Sequence, residues 1–303
     1  MSRIRSLKIT TLADNLVQKA NFQGQWGLSF LLELDDARGD ARKMVFDTGN
    51  DRAPLMFNIS KLKLDLGDLD CIVLSHGHGD HTVATAEIVK KTGGVKVYSH
   101  PHVFQPRFTV DKEGSRRRGG VPRGEGVHDI ERAGGEVILS AEPYEVVPGV
   151  WTTGQIPRVT PFEKVSPPFD GGKRLIIIDD KEVDDQILDD QALFTNVEEF
   201  GPFVLTGCAH SGPINTLLRA KTLGAFGEIH GFVGGTHLVQ RSDDYVEKTL
   251  QALRRFGLRL LSPCHCTGFK ATSRIWQSFS DEFVLNYCGR IIEAGKEPEP
   301  KLV

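Results

Sequence analysis

Apolar residues along this chain fall in short continuous runs separated by glycine. Residues 28–34, 43–46, 71–74 and 95–98 read as strands in the first half, and 175–178, 203–205, 232–233 and 258–261 in the second. A run such as Cys71-Ile72-Val73-Leu74 fits a strand buried on both faces. Helical periods lie between the strands. Over 82–91, Val83, Ala86, Val89 and Lys90 recur at helical spacing, and Gly93-Gly94 supplies a stop. Residues 214–223 and 244–256 read as further helices. Interleaved strands and helices predict an α/β layered fold. There is no repeat, low-complexity tract or linker, so residues 1–303 are expected to form one domain.

One segment breaks the pattern. Between Pro106 and His128 lie Arg107, Lys112, Arg116, Arg117, Arg118 and Arg123 with several glycines and no periodicity. It reads as a basic loop insertion near 106–128, either a solvated charged loop or a lid over an anionic substrate.

Composition narrows the function classes. The chain is 39% hydrophobic and 25% charged, ordinary for a globular protein with a real core. A net charge of -3 and a pI near 6.4 argue against nucleic acid as a partner. No apolar run approaches the ~20 residues that span a bilayer, and the first residues lack the apolar core of a signal peptide. A cytoplasmic protein with no membrane partner is expected, and a homo-oligomer is compatible with this composition. The five cysteines are odd in number, which disfavours a disulfide framework. Cys71 and Cys288 sit in apolar surroundings, whereas Cys208, Cys264 and Cys266 lie beside histidines.

The candidate chemistry begins where the run 71–74 ends. His76-Gly77-His78-Gly79-Asp80-His81 places three histidines and an aspartate within six positions. Imidazole and carboxylate are good ligands for zinc and similar divalent ions. Alternate residues of an extended segment point the same way, so His76 and His78 can grip one ion, while Asp80 and His81 at the turn can grip a second. Gly77 and Gly79 let the backbone fold tightly.

A strand followed by this HxHxDH run resembles the metallo-β-lactamase superfamily. The resemblance implies a four-layer αββα sandwich and a site for two divalent metal ions, zinc first, with manganese or iron as alternatives. It implies that Asp47, in Phe46-Asp47-Thr48-Gly49, supports the ligands from behind, and that His265, in Cys264-His265-Cys266-Thr267-Gly268, is the last histidine ligand. The middle of the chain departs from the usual pattern. Most members carry a histidine where this chain has Thr152-Thr153-Gly154-Gln155-Ile156-Pro157-Arg158, and an aspartate where it has Gly207-Cys208. His210 is placed to supply the missing imidazole. Cys208 is a bridging thiolate, a terminal thiolate or a small residue lining the site. The segments 154–158, 207–212, 235–238 and 264–268 together resemble the subgroup described as dihydropterin ribofuranosyl-aminobenzene phosphate synthase-like proteins, over about 47–268. His237 is a substrate-binding candidate or a loop histidine with a backbone partner. Arg158 is the candidate for contacting an anionic group.

The expected reaction is hydrolysis. Two ions about 3.5–4 Å apart can share a water and lower its pKa toward neutrality. Asp80 would hold one ion and orient the resulting bridging hydroxide, with His76, His78 and His210 on the first ion and His81 and His265 on the second. The substrate is expected to be a small anionic metabolite, a phosphoester or a phosphorylated pterin-type compound. The alternatives are a pterin-pathway synthase forming a C–N or C–C bond, and a non-catalytic ligand sensor on the same fold.

Overall fold

A computed structural model describes residues 2–166, 168 and 171–294. The first half runs β1 (Ser6–Ala13), β2 (Ser29–Asp35), β3 (Ala41–Phe46), α1 (Arg52–Lys61), β4 (Cys71–Val73), α2 (Thr85–Thr92), β5 (Lys96–Ser99), β6 (Arg107–Val110), β7 (Arg116–Gly119), α3 (Val127–Arg132) and β8 (Glu136–Leu139). The second runs β9 (Glu145–Val147), β10 (Val150–Thr152), β11 (Lys173–Ile178), β12 (Lys181–Asp184), β13 (Ala192–Val197), β14 (Gly201–Thr206), α4 (Pro213–Gly224), β15 (Gly231–Gly235), α5 (Asp243–Leu253), β16 (Leu260–Cys264), α6 (Phe269–Ser278) and β17 (Ile291–Ala294).

The two-sided burial expected of the apolar runs builds the layers. Along β2, Phe30, Leu32 and Leu34 enter one core and Leu31 another. The same split separates Met44 and Phe46 from Val45, and Cys71 and Val73 from Ile72. In the second half, Phe203, Leu205 and Val233 share the first core, while Val204 and Phe232 face a third. The first core is therefore the space between two sheets, ordered β17-β1-β2-β3-β4-β5-β8 and β16-β15-β14-β13-β10-β9. Helices α1, α2 and α3 cover the outer face of one sheet through residues such as Leu55, Ile88 and Ile130. Helices α4, α5 and α6 cover the other through residues such as Leu217, Leu250 and Ile275. The result is a four-layer αββα sandwich. Among the described residues no helix is long and apolar enough to cross a membrane.

Two sequence expectations are corrected. The helix expected from residue 82 starts at Thr85, after a tight turn over Gly79–His81. The His81 carbonyl accepts from the Thr48 N–H at 2.7 Å, so it is engaged before the helix can use it. The segment near 106–128 is not a long loop. Strands β6 and β7 form a hairpin, and β6 pairs with β11 in a third sheet ordered β12-β11-β6-β7. Its charges concealed the strand pattern because they are used as partners. Arg116 lies 3.7 Å over the Phe108 ring and pairs with Glu182 at 2.6 Å. Arg107 is buried, with Nε donating to Asp185 at 2.8 Å and a second nitrogen to Asp189 at 2.5 Å.

Candidate metal centre

Parallel strands deliver side chains to one edge, because their C-terminal ends point the same way. Asp47 follows β3, and Ser75 and His76 follow β4; across the core, Cys208, His237 and His265 follow the parallel set β14-β15-β16. The turns there are strained. Asp47 (φ 61°), Ala209 (φ 53°), His237 (φ 50°) and His265 (φ 50°) all sit in the left-handed region, which costs on the order of 1 kcal/mol or more each and tends to mark functional sites. The two sheets meet closely at Gly207, where a Cβ would lie 2.0 Å from Ser75 Oγ and 2.6 Å from Asp47 Oδ2. Gly207→Ala is accordingly expected to destabilise the fold by about 1–3 kcal/mol, read as a lower urea midpoint. An unchanged midpoint would mean that this contact yields without cost.

The donors fall into two sets. On one side, His76 Nε2 lies 3.0 Å from His78 Nδ1 and 3.2 Å from His210 Nε2. On the other, Asp80 Oδ2 lies 3.4 Å from His265 Nε2 and 3.9 Å from His81 Nε2. Cys208 stands between them. Its Sγ is 3.2 Å from His81 Nε2, and it completes two groups of converging donors, His76–Cys208–His210 and His81–Cys208–His265, with the ligand atoms of each within 4.8 Å of one another.

Hydrogen bonds behind the donors fix their rings. Asp47 Oδ2 accepts from Ser75 Oγ at 2.7 Å and lies 2.6 Å from His81 Nδ1, while Ser75 Oγ lies 2.9 Å from His76 Nδ1. Asn15 Oδ1 lies 3.0 Å from His265 Nδ1, and Asp14 accepts the His265 backbone N–H at 3.2 Å. The Gly77 N–H donates to Asp189 Oδ2 at 2.7 Å, and Asp189 is the carboxylate that holds Arg107. Such outer hydrogen bonds select the tautomer that leaves the inward nitrogen able to bind.

The electrostatics fit cations. Burial holds His76 and His210 well below the usual imidazole range and lowers His78 to about 4, so these rings are neutral near pH 7. Ring nitrogens of these three histidines converge at 3.0–3.2 Å, close enough for one cation to take their lone pairs. His210 Nδ1 and His265 Nε2 are buried without a hydrogen-bond partner. Burial alone would lower His81, yet Asp47 and Asp80 raise it to about 9, so its surroundings favour positive charge. Burial also pushes the Cys208 thiol well up. It becomes a thiolate ligand only against a compensating cation. The imidazole and sulfur donors suit zinc or a similar divalent ion.

A cavity of about 150 Å³ opens over these donors, and its lining includes Trp26, His78, Asp80, Arg174, Cys208 and His237. His237 thus faces the site, with Nδ1 3.3 Å from Ser166 Oγ and its ring 4.2 Å from that of His210. Arg158 does not line it. Its guanidinium turns away to donate to the Gln186 carbonyl at 2.7 Å. The arginine on the wall is Arg174, on β11, which the apolar run beside it did not single out. Asn15, Asp14 and Trp26 were also missed, because they lie in the segment before β2, far in sequence from the histidines they adjoin.

The loop carrying His210 is held by buried carboxylates. Ser211 N–H donates to Asp190 at 2.7 Å, and Glu163 accepts from the N–H groups of Ile214 and Asn215 at 2.9 and 2.7 Å, at the start of α4. Burial raises Glu163 from 4.5 to about 7, against the pull of those N–H groups. The folded chain therefore keeps this proton over a pH range in which the unfolded chain has released it. Stability is expected to fall as pH rises from about 4.5 to about 7. Asp14 and Asp190, raised by burial to about 7 and about 6, act in the same direction. Glu163→Gln is expected to flatten part of that slope, measured as urea midpoints at acid and neutral pH. Parallel curves for the two proteins would rule out this role for Glu163.

Comparison with known proteins identifies the family. Residues 27–265 match the family model described as the metallo-β-lactamase superfamily. The chain is 28% identical over 299 residues to the 7,8-dihydropterin-6-methyl-4-(β-D-ribofuranosyl)-aminobenzene-5′-phosphate synthase of Methanocaldococcus jannaschii, covering 97% of this chain and 98% of that one. It is 32% identical over 286 residues to an uncharacterized protein of the same organism, covering 94% and 99%. Among solved structures, a metal-dependent hydrolase of the β-lactamase superfamily superposes with a TM-score of 0.74 at 24% identity, covering 94% of this chain and 98% of that one. The metallo-β-lactamase fold protein YhfI of Bacillus subtilis does so with 0.57 at 12%, covering 96% and 100%. At these identities the structural likeness is one of fold.

Proposed function

Since this chain belongs to the metallo-β-lactamase superfamily, we propose that it is a dinuclear metal-dependent hydrolase of a small anionic metabolite, a phosphoester or a phosphorylated pterin-type compound. The observation that carries this reading is Cys208, one buried sulfur belonging to two groups of converging donors. His76, His78 and His210 would hold one ion, and Asp80, His81 and His265 the other, with Cys208 between them. Zinc is the ion that such donors suit best.

When bound, a pair of divalent ions acidifies a water and polarises the oxygen of the bond under attack. The chain's own residues do the rest. Burial works against the charge of Asp80, but His81 and His265 hold its carboxyl well below the usual range, so it stays ionised and can accept a hydrogen bond from the attacking water. His237, lowered by burial to about 3, is a neutral imidazole fixed by Ser166 and can hydrogen-bond the leaving group. Arg174 would receive the substrate's negative charge.

The test is metal content by mass spectrometry. Wild type is expected to carry about two equivalents of metal, and His210→Ala fewer. No uptake by wild type, even after reconstitution, would sink the reading.

A second reading is favoured by the 28% identity across 97% of the chain to a protein named as a synthase. In it the attacking group is an atom of an organic acceptor instead of water, and the site forms a bond. Product analysis with a pterin-type donor and an aminobenzene riboside phosphate separates the two. A coupled product supports the synthase, and a hydrolysed donor alone supports the hydrolase.

A further inference from the structure

A second thiol lies beside Cys208 and has no part in the donor groups. Cys266 follows His265 after β16, is buried, and lines the cavity together with Cys208. It belongs to neither group of converging donors. Two hydrogen bonds fix its orientation. Cys266 Sγ donates to the Cys208 carbonyl at 3.6 Å and accepts the His237 N–H at 3.3 Å. Burial raises the Cys208 thiol most, and the neighbouring Cys266 thiol is the next cause.

The two sulfurs meet because of a glycine. Cys208 follows β14 and Cys266 follows β16, and β15 pairs in parallel with both strands. Gly235 ends that middle strand. A Cβ there would lie 2.7 Å from Cys266 Sγ and 3.1 Å from Cys208 Cα, so any larger residue would stand between the two cysteines. The backbone around the gap is pinned. The Gly235 N–H donates to the Gly207 carbonyl and the Val239 N–H to the Cys266 carbonyl, each at 3.1 Å. Cys264, two residues before Cys266, belongs to the core between the sheets instead. Two thiols facing one another beside a small cavity, one of them unused by the donor groups, are the arrangement of a cysteine and its resolving partner.

We propose that Cys208 and Cys266 form a reversible disulfide when a hydroperoxide oxidises them, and that this bond switches the centre off by withdrawing the sulfur that its two donor groups share. This deepens the proposed function and rests on it. The Cys208 sulfur attacks one peroxide oxygen, the O–O bond breaks, and the departing oxygen leaves as water with the thiol proton, giving a sulfenic acid. The Cys266 sulfur then attacks the Cys208 sulfur. The S–O bond breaks, the S–S bond forms, and a second water leaves with the Cys266 proton. Two electrons pass from the thiols to the peroxide, and a dithiol reductant returns them. With Cys208 engaged, each donor group keeps only its two histidines, so both ions are held less tightly.

Peptide mapping and metal release, read on the same samples, provide the test. Metal-loaded protein is treated with hydrogen peroxide, remaining thiols are alkylated, and the digest is analysed by mass spectrometry while a chromogenic chelator counts released metal. The five free thiols are expected to fall by two, with the Cys208 and Cys266 peptides joined. Bound metal is expected to fall from about two equivalents to one or fewer, and dithiothreitol followed by metal to restore both. Cys266→Ser is expected to form no such link and to release metal about tenfold more slowly at the same dose. Its thermal midpoint and metal content before oxidation show that it is folded and loaded, and the wild-type peptide map needs no variant. Loaded wild type in which Cys208 stays unlinked, or pairs with Cys264, would overturn the bond. A link without metal release, or release at the wild-type rate in Cys266→Ser, would overturn the switch. These outcomes defeat this inference alone, whereas wild type that never takes up metal defeats the parent reading.

Discussion

Cys208→Ala is expected to reduce bound metal from about two equivalents per chain to one or fewer, and to slow turnover by roughly two to three orders of magnitude. The size follows from losing several kcal/mol of charge stabilisation at the reacting centre. Cys208 Sγ completes both donor groups, so its removal leaves each with two histidines from that set. The alanine should cost little in folding, since the side chain is small and its sulfur lies against His81 Nε2 at 3.2 Å. Cys208→Asp is the informative companion. It returns the aspartate that the family resemblance leads one to expect here, and should retain two ions at altered affinity. If Cys208→Ala keeps both ions and full turnover, the cysteine is only part of the cavity wall.

Arg107→Ala is expected to destabilise the protein by roughly 3–5 kcal/mol, the usual cost of stripping one partner from a buried ion pair. That is a large share of the roughly 5–15 kcal/mol by which domains are stable. Arg107 is 3% exposed and pairs with Asp185 and Asp189, both buried. Without it, two carboxylates remain in a dry environment, and one of them holds the Gly77 N–H inside the ligand run. Folding stability and metal affinity should therefore fall together. The urea midpoint reports the first, and competition with a chelator reports the second. A surface-lid role for this arginine would instead leave the midpoint within about 0.5 kcal/mol of wild type.

Arg107 also illustrates where sequence reasoning stops. Six basic residues between Pro106 and His128, interrupted by glycines, give no strand period. The strand is specified by partners far along the chain, namely β11, Glu182, Asp185 and Asp189. By contrast, the layers were legible in the short apolar runs, because a strand buried on both faces needs no alternation. Cys71 to Leu74 shows this, with side chains entering two cores in turn. The run from His76 to His81 was legible because its residue types have few other uses at that density. His210 and Cys208 were singled out by asking what replaced an expected residue, and the structure brings both among the converging donors. Arg174, Asn15 and Trp26 gave no local signal. Each acquires its place through a tertiary contact, as Asn15 does at His265, 250 positions away.

The central claim is that one cysteine sulfur joins two histidine-rich donor sets into a dinuclear centre. X-ray absorption at the metal edge of fully loaded protein tests it most directly. The account predicts a nitrogen/oxygen shell at about 2.0–2.1 Å together with a sulfur shell at about 2.3 Å if the metal is zinc, the sulfur shell being absent from Cys208→Ala. Two bound ions with nitrogen and oxygen neighbours alone in wild type would contradict it.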